Sequence, residues 1–361
     1  MNDLSSMVYR LIGEIILKRF FILFFIFILI SCSPAPSVWG IAVTPTSHPK
    51  ITLIPPSETA IPTEIFLTPT SLPTVKPTST LTNTPLPTAT STIIPTPSKA
   101  DIERVIVISY DGLRPDAIDL APMPNLIELR ENGAQAPLTA RTIDYPATLP
   151  SHASMLSGWC MEDTGIIYNK FYQFMGYSKG VDIFDLAHQA NMQTIMIVSK
   201  DKMRQLAEPE TTDVFEIAYG EPAIQRAVLA QLEEDFDLMF IHFAGPDNRG
   251  HKWGWMSYEY FQVLREGDAV LGEIIKTLKE KNMFDSTMFI ITSDHGGHDR
   301  NHIGLIAEDY RITWIAYGPG VKPIEITRQL YTFDTAATVA YALGLPLQPD
   351  WAGIPVYEIF W

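Results

Sequence analysis

The sequence predicts an α/β domain with a mostly parallel central sheet and helices on both faces. Two observations carry this: from about residue 101, short apolar runs rich in β-branched residues recur along the chain, and helical stretches of mixed polarity lie between them. A third supports it, because several runs end in acidic residues, histidines and glycines. Sheets of this kind bind ligands beyond the carboxyl ends of their strands.

The elements follow in order. Val105–Ile108 is the first run, and Pro124–Asn132 is the first helical candidate. Asp182–Ala190 then leads to Thr194–Val198, Glu221–Glu234 to Leu238–Ile241, and Tyr258–Glu280 to Met288–Ile291. Ile312–Ile315 is the last run, followed by a helical candidate over Thr335–Leu343. None of the five runs carries a charge, as strands covered on both faces require.

The first hundred residues read differently. Lys18 and Arg19 precede an apolar run from Phe20 to Ile30, too short to span a ~30 Å hydrocarbon core but suited to a signal-peptide core. From Ser33 to Ala100, 14 Pro, 16 Thr and 8 Ser make up 38 of 68 residues. Such a segment cannot offset its ordering entropy by burial, and its prolines favour extended backbone. It reads as a disordered stalk reaching on the order of 100–200 Å. The expected organisation is therefore a signal segment over 1–32, a stalk over 33–100 and one folded domain over 101–361.

Composition excludes several functions. Two cysteines in 361 residues rule out a disulfide scaffold or a thiolate zinc site. The chain carries 41 acidic against 26 basic residues, a net charge of -15, and residues 101–361 alone carry -17. No nucleic-acid-binding face is evident, since such a face rests on clustered Lys and Arg. Any metal must sit on His, Asp and Glu, and an anionic substrate would need those metals to supply positive charge.

Three predicted strand ends bring such groups. The first run leads into Asp111-Gly112, the third into Asp247 and His251, and the fourth into Asp294-His295-Gly296-Gly297-His298, with His302 close behind. Carboxylate and imidazole suit zinc, manganese or iron. Between the first two lies Thr148-Leu149-Pro150-Ser151-His152, where Pro150 marks a helix start. Thr148 is expected just ahead of that positive helix terminus, where its hydroxyl serves either as a nucleophile or as an N-cap.

The order Tyr110-Asp111-Gly112-Leu113-Arg114-Pro115, Thr148-Leu149-Pro150-Ser151-His152, Asp247-x3-His251-x2-Gly254 and Ser293-Asp294-His295-Gly296-Gly297 resembles the alkaline phosphatase superfamily. It looks most like the type I phosphodiesterase/nucleotide pyrophosphatase branch, over essentially all of residues 101–361. The resemblance implies an alkaline-phosphatase-like fold and two divalent metal ions, zinc or alternatively manganese. Asp111, Asp294 and His295 match the ligands of one ion, which also contacts the nucleophile Thr148. Asp247 and His251 match the second, whose third ligand is placed at His302 with His298 as competitor and otherwise a supporting residue. Asn169 matches the residue that donates to a phosphoryl oxygen.

The activity so implied is hydrolysis of phosphodiester or pyrophosphate bonds, on a phosphate-ester small molecule or nucleotide, through a phosphothreonine. A phosphomonoesterase, a phosphonate hydrolase, a phosphoalcohol transferase or a catalytically silent surface-binding module are the alternatives. Leu29-Ile30-Ser31-Cys32 resembles the bacterial lipoprotein box, which implies export and a lipid anchor at Cys32 on the outer side of the membrane. An uncleaved signal anchor is the alternative there. The aromatics Tyr145, Trp159, Tyr168, Phe171, Tyr172 and Tyr177 are candidates for stacking on a nucleobase or for ordinary packing.

Overall fold

The computed structural model describes residues 102–361 apart from Leu305. The signal segment, Cys32 and the Pro/Thr-rich stretch lie outside the described residues. Among the described residues no helix is long and apolar enough to cross a membrane.

Seven strands form the main sheet: β1 (Arg104–Tyr110), β2 (Ala134–Gln135), β3 (Thr194–Val198), β4 (Val214–Ile217), β5 (Leu238–Phe243), β6 (Thr287–Thr292) and β7 (Trp314–Tyr317). They lie in the order β2-β7-β6-β1-β5-β3-β4. β1 sits in the middle, parallel to both β5 and β6, with Val105 opposite Leu238 on one side and Met288 on the other. This register brings Tyr110, Phe243 and Thr292 to one edge, so the residues that follow them emerge side by side.

The far edge departs from the parallel pattern, because β7 runs antiparallel to β6 and β2 antiparallel to β7. The connection from β6 to β7 contains only the four-residue helix Ala307–Tyr310, and a parallel return needs a full crossover. Strand β7 also begins at Trp314, two residues later than the apolar run Ile312–Ile315.

Among the described residues, seven helices of seven residues or more flank the sheet: α1 (Pro124–Asn132), α2 (Thr148–Ser157), α3 (Ile183–Gln189), α4 (Glu221–Gln231), α5 (Gly245–Trp253), α6 (Tyr258–Glu280) and α7 (Asp334–Ala342). Successive residues of β1 feed two cores, as a pleated strand requires. Val105 and Val107 pack with α2, α3 and α7, and Ile106, Ile108 and Tyr110 with α1, α4 and α6.

Local chemistry sets the helix ends. Asp182 and Asp185 form a reciprocal capping box at α3. Ser257 caps α6, which then buries Tyr260, Val263, Leu264, Gly267, Leu271, Ile274 and Leu278 at helical spacing. Gly267 is needed for contact with the sheet: a Cβ there would lie 2.7 Å from Tyr110 Cε1, and the Tyr110 hydroxyl donates to the Gly267 carbonyl at 3.1 Å. Helix α4 ends at Gln231, short of the expected Glu234.

Helix α1 has no cap of its own at Met123. Asp268 of α6 supplies one: its carboxylate accepts from Leu126 N at 2.8 Å, Asn125 N at 3.2 Å and Asn125 Nδ2 at 2.9 Å. Replacing Asp268 with Ala should strand these donors and cost about 2 kcal/mol, or roughly 4–8 °C in Tm. Asp268→Asn should keep much of that stability. Calorimetry on the two variants checks this, and equal losses would mean that charge rather than capping is at stake.

Candidate active site

The three acidic clusters converge beside the N-terminus of α2, and the elements explain how. Asp111 follows β1 directly and its N–H donates to Phe243 O at 2.9 Å. Asp294 follows β6 by one residue, and its Oδ1 accepts from Gly112 N at 3.0 Å. Asp247 lies not on a loop but in the first turn of α5, whose Pro246 and Gly254 mark its ends. His251, four residues on, therefore shares its helix face, with Nε2 3.3 Å from Asp247 Oδ1.

Three histidines present a free Nε2 to these carboxylates. His251 Nδ1 bonds to Arg300 O at 3.0 Å, His295 Nδ1 to Gly296 O at 2.8 Å and His302 Nδ1 to Pro146 O at 2.6 Å. A backbone carbonyl only accepts, so each Nδ1 carries the proton and each Nε2 its lone pair, the arrangement that suits a metal ligand. Burial, with His295 next, pushes His302 down to about 3, so it is neutral near neutral pH.

Four buried atoms at this point have no hydrogen-bond partner: Asp111 Oδ1, Asp247 Oδ1, Asp294 Oδ2 and His295 Nε2. Unpaired buried oxygens of this kind are costly unless a cation satisfies them. Two groups have ligand atoms all within 4.8 Å of one another: Asp247, His251 and His302, and Asp111, Asp247 and His295. The residues present therefore fit divalent ions. The second group holds Asp247 where the resemblance implies Asp294, whose free Oδ2 lies 3.3 Å from His295 Nε2. His298 is not among them; its Nδ1 pairs with Asp309 Oδ1 at 2.7 Å.

Thr148 is buried and is the first residue of α2, with Ala147 as the N-cap. It is thus neither ahead of the helix nor its cap. The helix starts two residues before Pro150 because first-turn N–H groups have no intrahelical partner, so a proline costs nothing at its third position. Asn169 approaches the same turn, its Oδ1 accepting from Leu149 N at 3.0 Å.

Several residues at the site carry no role in the sequence reading. Lys200 Nζ donates to Asp111 Oδ2 and Asp247 Oδ2, each at 2.6 Å, and lies 3.2 Å from Thr148 Oγ1. Lys202 Nζ donates to Asn169 Oδ1 at 2.9 Å. His242 of β5 donates from Nε2 to Asp111 Oδ2 at 2.9 Å, its Nδ1 accepting from Ser199 N at 3.2 Å. His152, within the Thr148 motif, links Thr148 O and Ser109 Oγ at 2.7 and 2.8 Å. The signal for the lysines was their place just past the Thr194–Val198 run, at the edge where the acids gather.

Charge is unevenly held. Burial raises Asp111, yet Lys200 and His242 outweigh it and hold the carboxyl well below its usual range. Asp247 is lowered too, burial being overcome by Lys200. Asp294 is pushed up to about 7 by burial and by the Asp111 charge. One lysine cannot neutralise three carboxylates, which is the electrostatic case for a cation.

Of the candidate aromatics, Trp159 and Tyr168 pack against the core, while Phe171, Tyr172 and Tyr177 are exposed. Trp255 is buried and Trp253 half exposed. Cys160 is a free thiol whose pKa burial raises, the state of an unreactive cysteine.

A family model described as type I phosphodiesterase / nucleotide pyrophosphatase matches residues 105–181 and 198–314. A bis(5'-adenosyl)-triphosphatase, enpp4 of Xenopus laevis, is 25% identical over 221 residues, 55% of this chain and 48% of that protein. The chain spans about half the length of the first curated relatives it matches. Among solved structures, murine ectonucleotide pyrophosphatase/phosphodiesterase 5, an inactive variant in complex with AMP, superposes with a TM-score of 0.60 at 16% identity, covering 72% of this chain and all of that one. A phosphonate monoester hydrolase from Silicibacter pomeroyi gives 0.56 at 12% identity, covering 72% and 76%. Both show the fold, an α/β sheet of the alkaline phosphatase type.

His251→Ala removes one of the three imidazoles whose Nε2 lies within 4.0 Å of Asp247 Oδ1. Metal analysis after dialysis against zinc should show about one ion fewer per chain, with circular dichroism unchanged. An unaltered zinc content would mean that this group does not bind.

Proposed function

Because the chain belongs to the type I phosphodiesterase/nucleotide pyrophosphatase family, we propose that it hydrolyses phosphodiester or pyrophosphate bonds through a phosphothreonine at Thr148. The observation that carries this is the set of four unpartnered ligand atoms gathered beside a buried threonine at a helix N-terminus.

Asp111, Asp294 and His295 would hold one divalent ion and Asp247, His251 and His302 another, zinc or manganese. Such ions, when bound, activate the hydroxyl and bear charge on the leaving oxygen. The chain's own groups do the rest. Thr148 Oγ1 forms the bond to phosphorus as the bond to the leaving oxygen breaks, and water later releases the phosphoryl group from Thr148. The Asn169 amide hydrogens, oriented by the Leu149 N–H and the Lys202 ammonium that donate to its Oδ1, face the non-bridging oxygens. His152 fixes the first turn of α2 by its bond to Thr148 O. Lys200 and then His242 keep Asp111 ionised, and His242 also orients it.

Monoester hydrolysis, phosphonate hydrolysis and phosphoalcohol transfer would use the same residues. A silent binding module fits less well, since it would have no need of a buried threonine beside unpartnered ligand atoms. The folded domain over 101–361 acts on the outer side of the membrane, held there by the stalk and by acylated Cys32, a reading that rests on the lipoprotein-box sequence.

Thr148→Ala should lower turnover of a bis-aryl phosphate on the order of a thousandfold or more while zinc content and Tm stay as in the wild type. Undiminished turnover would move the nucleophile elsewhere. For the anchor, Cys32→Ala should abolish incorporation of labelled fatty acid and leave the chain unprocessed. Continued labelling of that variant would locate the lipid on another residue.

A further inference from the structure

Of the two lysines beyond β3, Lys200 reaches the reacting threonine and Lys202 reaches Asn169 beside it. Lys200 is extended, with φ -132° and ψ 129°, and caps the short 3-10 turn Asp201–Leu206 that carries Lys202. Asp201 between them is exposed and pairs instead with Arg204 at 3.4 Å. Lys200 Nζ reaches Thr148 Oγ1, Asp111 and Asp247, and Lys202 Nζ reaches Asn169 Oδ1. The two ammonium groups thus flank the place where Thr148 and Asn169 meet a phosphoryl group.

Their presence exceeds what the acids require once ions are bound. Asp111, Asp247 and Asp294 bring three negative charges and the lysines bring two positive ones. Two divalent ions would leave three surplus positive charges, and two after Thr148 loses its proton. A diester offers one negative charge to this site, so one positive charge stays unmatched in a largely buried place. A group with two negative charges closes the balance. Asn169 fits the same picture, since its Oδ1 takes both Lys202 and Leu149 N, which turns its amide hydrogens to a ligand.

Resting on the hydrolytic reading above, we propose that Lys200 and Lys202 form an anion subsite that selects substrates with a second negative charge at or next to the scissile phosphorus. The second charge sits either on the reacting phosphoryl group, as in a monoester, or on an adjacent phosphate, as in a pyrophosphate. Simple diesters with uncharged arms are the poorer substrates. Lys202 is a specificity-determining residue, and Lys200 serves in addition as counter-ion to Asp111 and Asp247.

The test uses the zinc-loaded full chain with three substrates, p-nitrophenyl phosphate, P1,P2-diphenyl diphosphate and bis(p-nitrophenyl) phosphate. The first two distinguish the two positions of the second charge. Lys202→Met should lower kcat/KM for whichever doubly charged substrate the wild type prefers, mainly through KM, by about tenfold more than for the bis-aryl diester. Lys202→Arg should restore most of that preference. Calorimetry supplies a readout independent of turnover: the wild type should bind inorganic phosphate more tightly than dimethyl phosphate, and the doubly substituted Lys200→Met, Lys202→Met chain should lose at least about tenfold of that difference. Equal losses on all substrates, a wild-type preference for the bis-aryl diester, or an unchanged binding difference would overturn the subsite. Absence of any turnover by the wild type would instead overturn the hydrolytic reading, and the binding comparison would still decide the subsite.

Discussion

Three carboxylates buried at one edge of a sheet, with a single lysine between two of them, form the constraint around which this domain is arranged. Charges out of water destabilise a fold unless each finds an opposite charge or a hydrogen-bond donor. Here the donors are partial. Gly112 N serves one oxygen of Asp294, and His242 and Lys200 serve one oxygen of Asp111, while the second oxygen of each is left bare. The deficit is local and directional, since every bare atom points to the same small volume beside Thr148. A fold that tolerates this must recover stability elsewhere, and the two apolar cores on either face of the sheet supply it.

The geometry of the sheet turns that deficit into a site. Parallel neighbours in matched register deliver their ends together, so the groups that follow β1, β5 and β6 meet without a long loop. Helix α2 closes the fourth side with its positive terminus, placing a hydroxyl where negative charge on a substrate would be welcome. The histidines are held through Nδ1 by backbone carbonyls of three segments, Pro146, Gly296 and Arg300, so their orientation depends on main chain rather than on other side chains. An acidic chain could then take an anionic ligand, because cations held by these groups would reverse the sign of the field at one point only.

Much of this was legible in the sequence. Charge-free runs such as Thr194–Val198 can only be buried, and the long amphipathic repeat of Tyr258–Glu280 has one face to hide, so both match the structure to the residue. Helix α5 was not legible, because Gly245, Asn248 and Gly250 are poor helix formers, and its packing beside α6 and Trp255 stabilises it instead. The acids and histidines of the candidate site stood out by order and spacing. Lys200 and Lys202 did not, since a lysine after a strand is usually a solvated side chain, and only the fold reveals that these two turn inward. The departure at β7 had no local signal either; the connection before it is taken up by the site segment and carries no crossover helix.

Trp255 gives the arrangement a property that no single ligand has. Its indole N–H donates to Gly112 O at 2.9 Å, and its ring lies so close to Gly250 and Gly297 that a Cβ on either would approach to 2.6 and 2.2 Å. One ring therefore touches the segment of each acidic cluster, after β1, within α5 and after β6. The three segments share one packing partner, and the spacing between them is set by the width of its ring. The gauge of the centre is set in advance by an indole that is itself shut off from solvent.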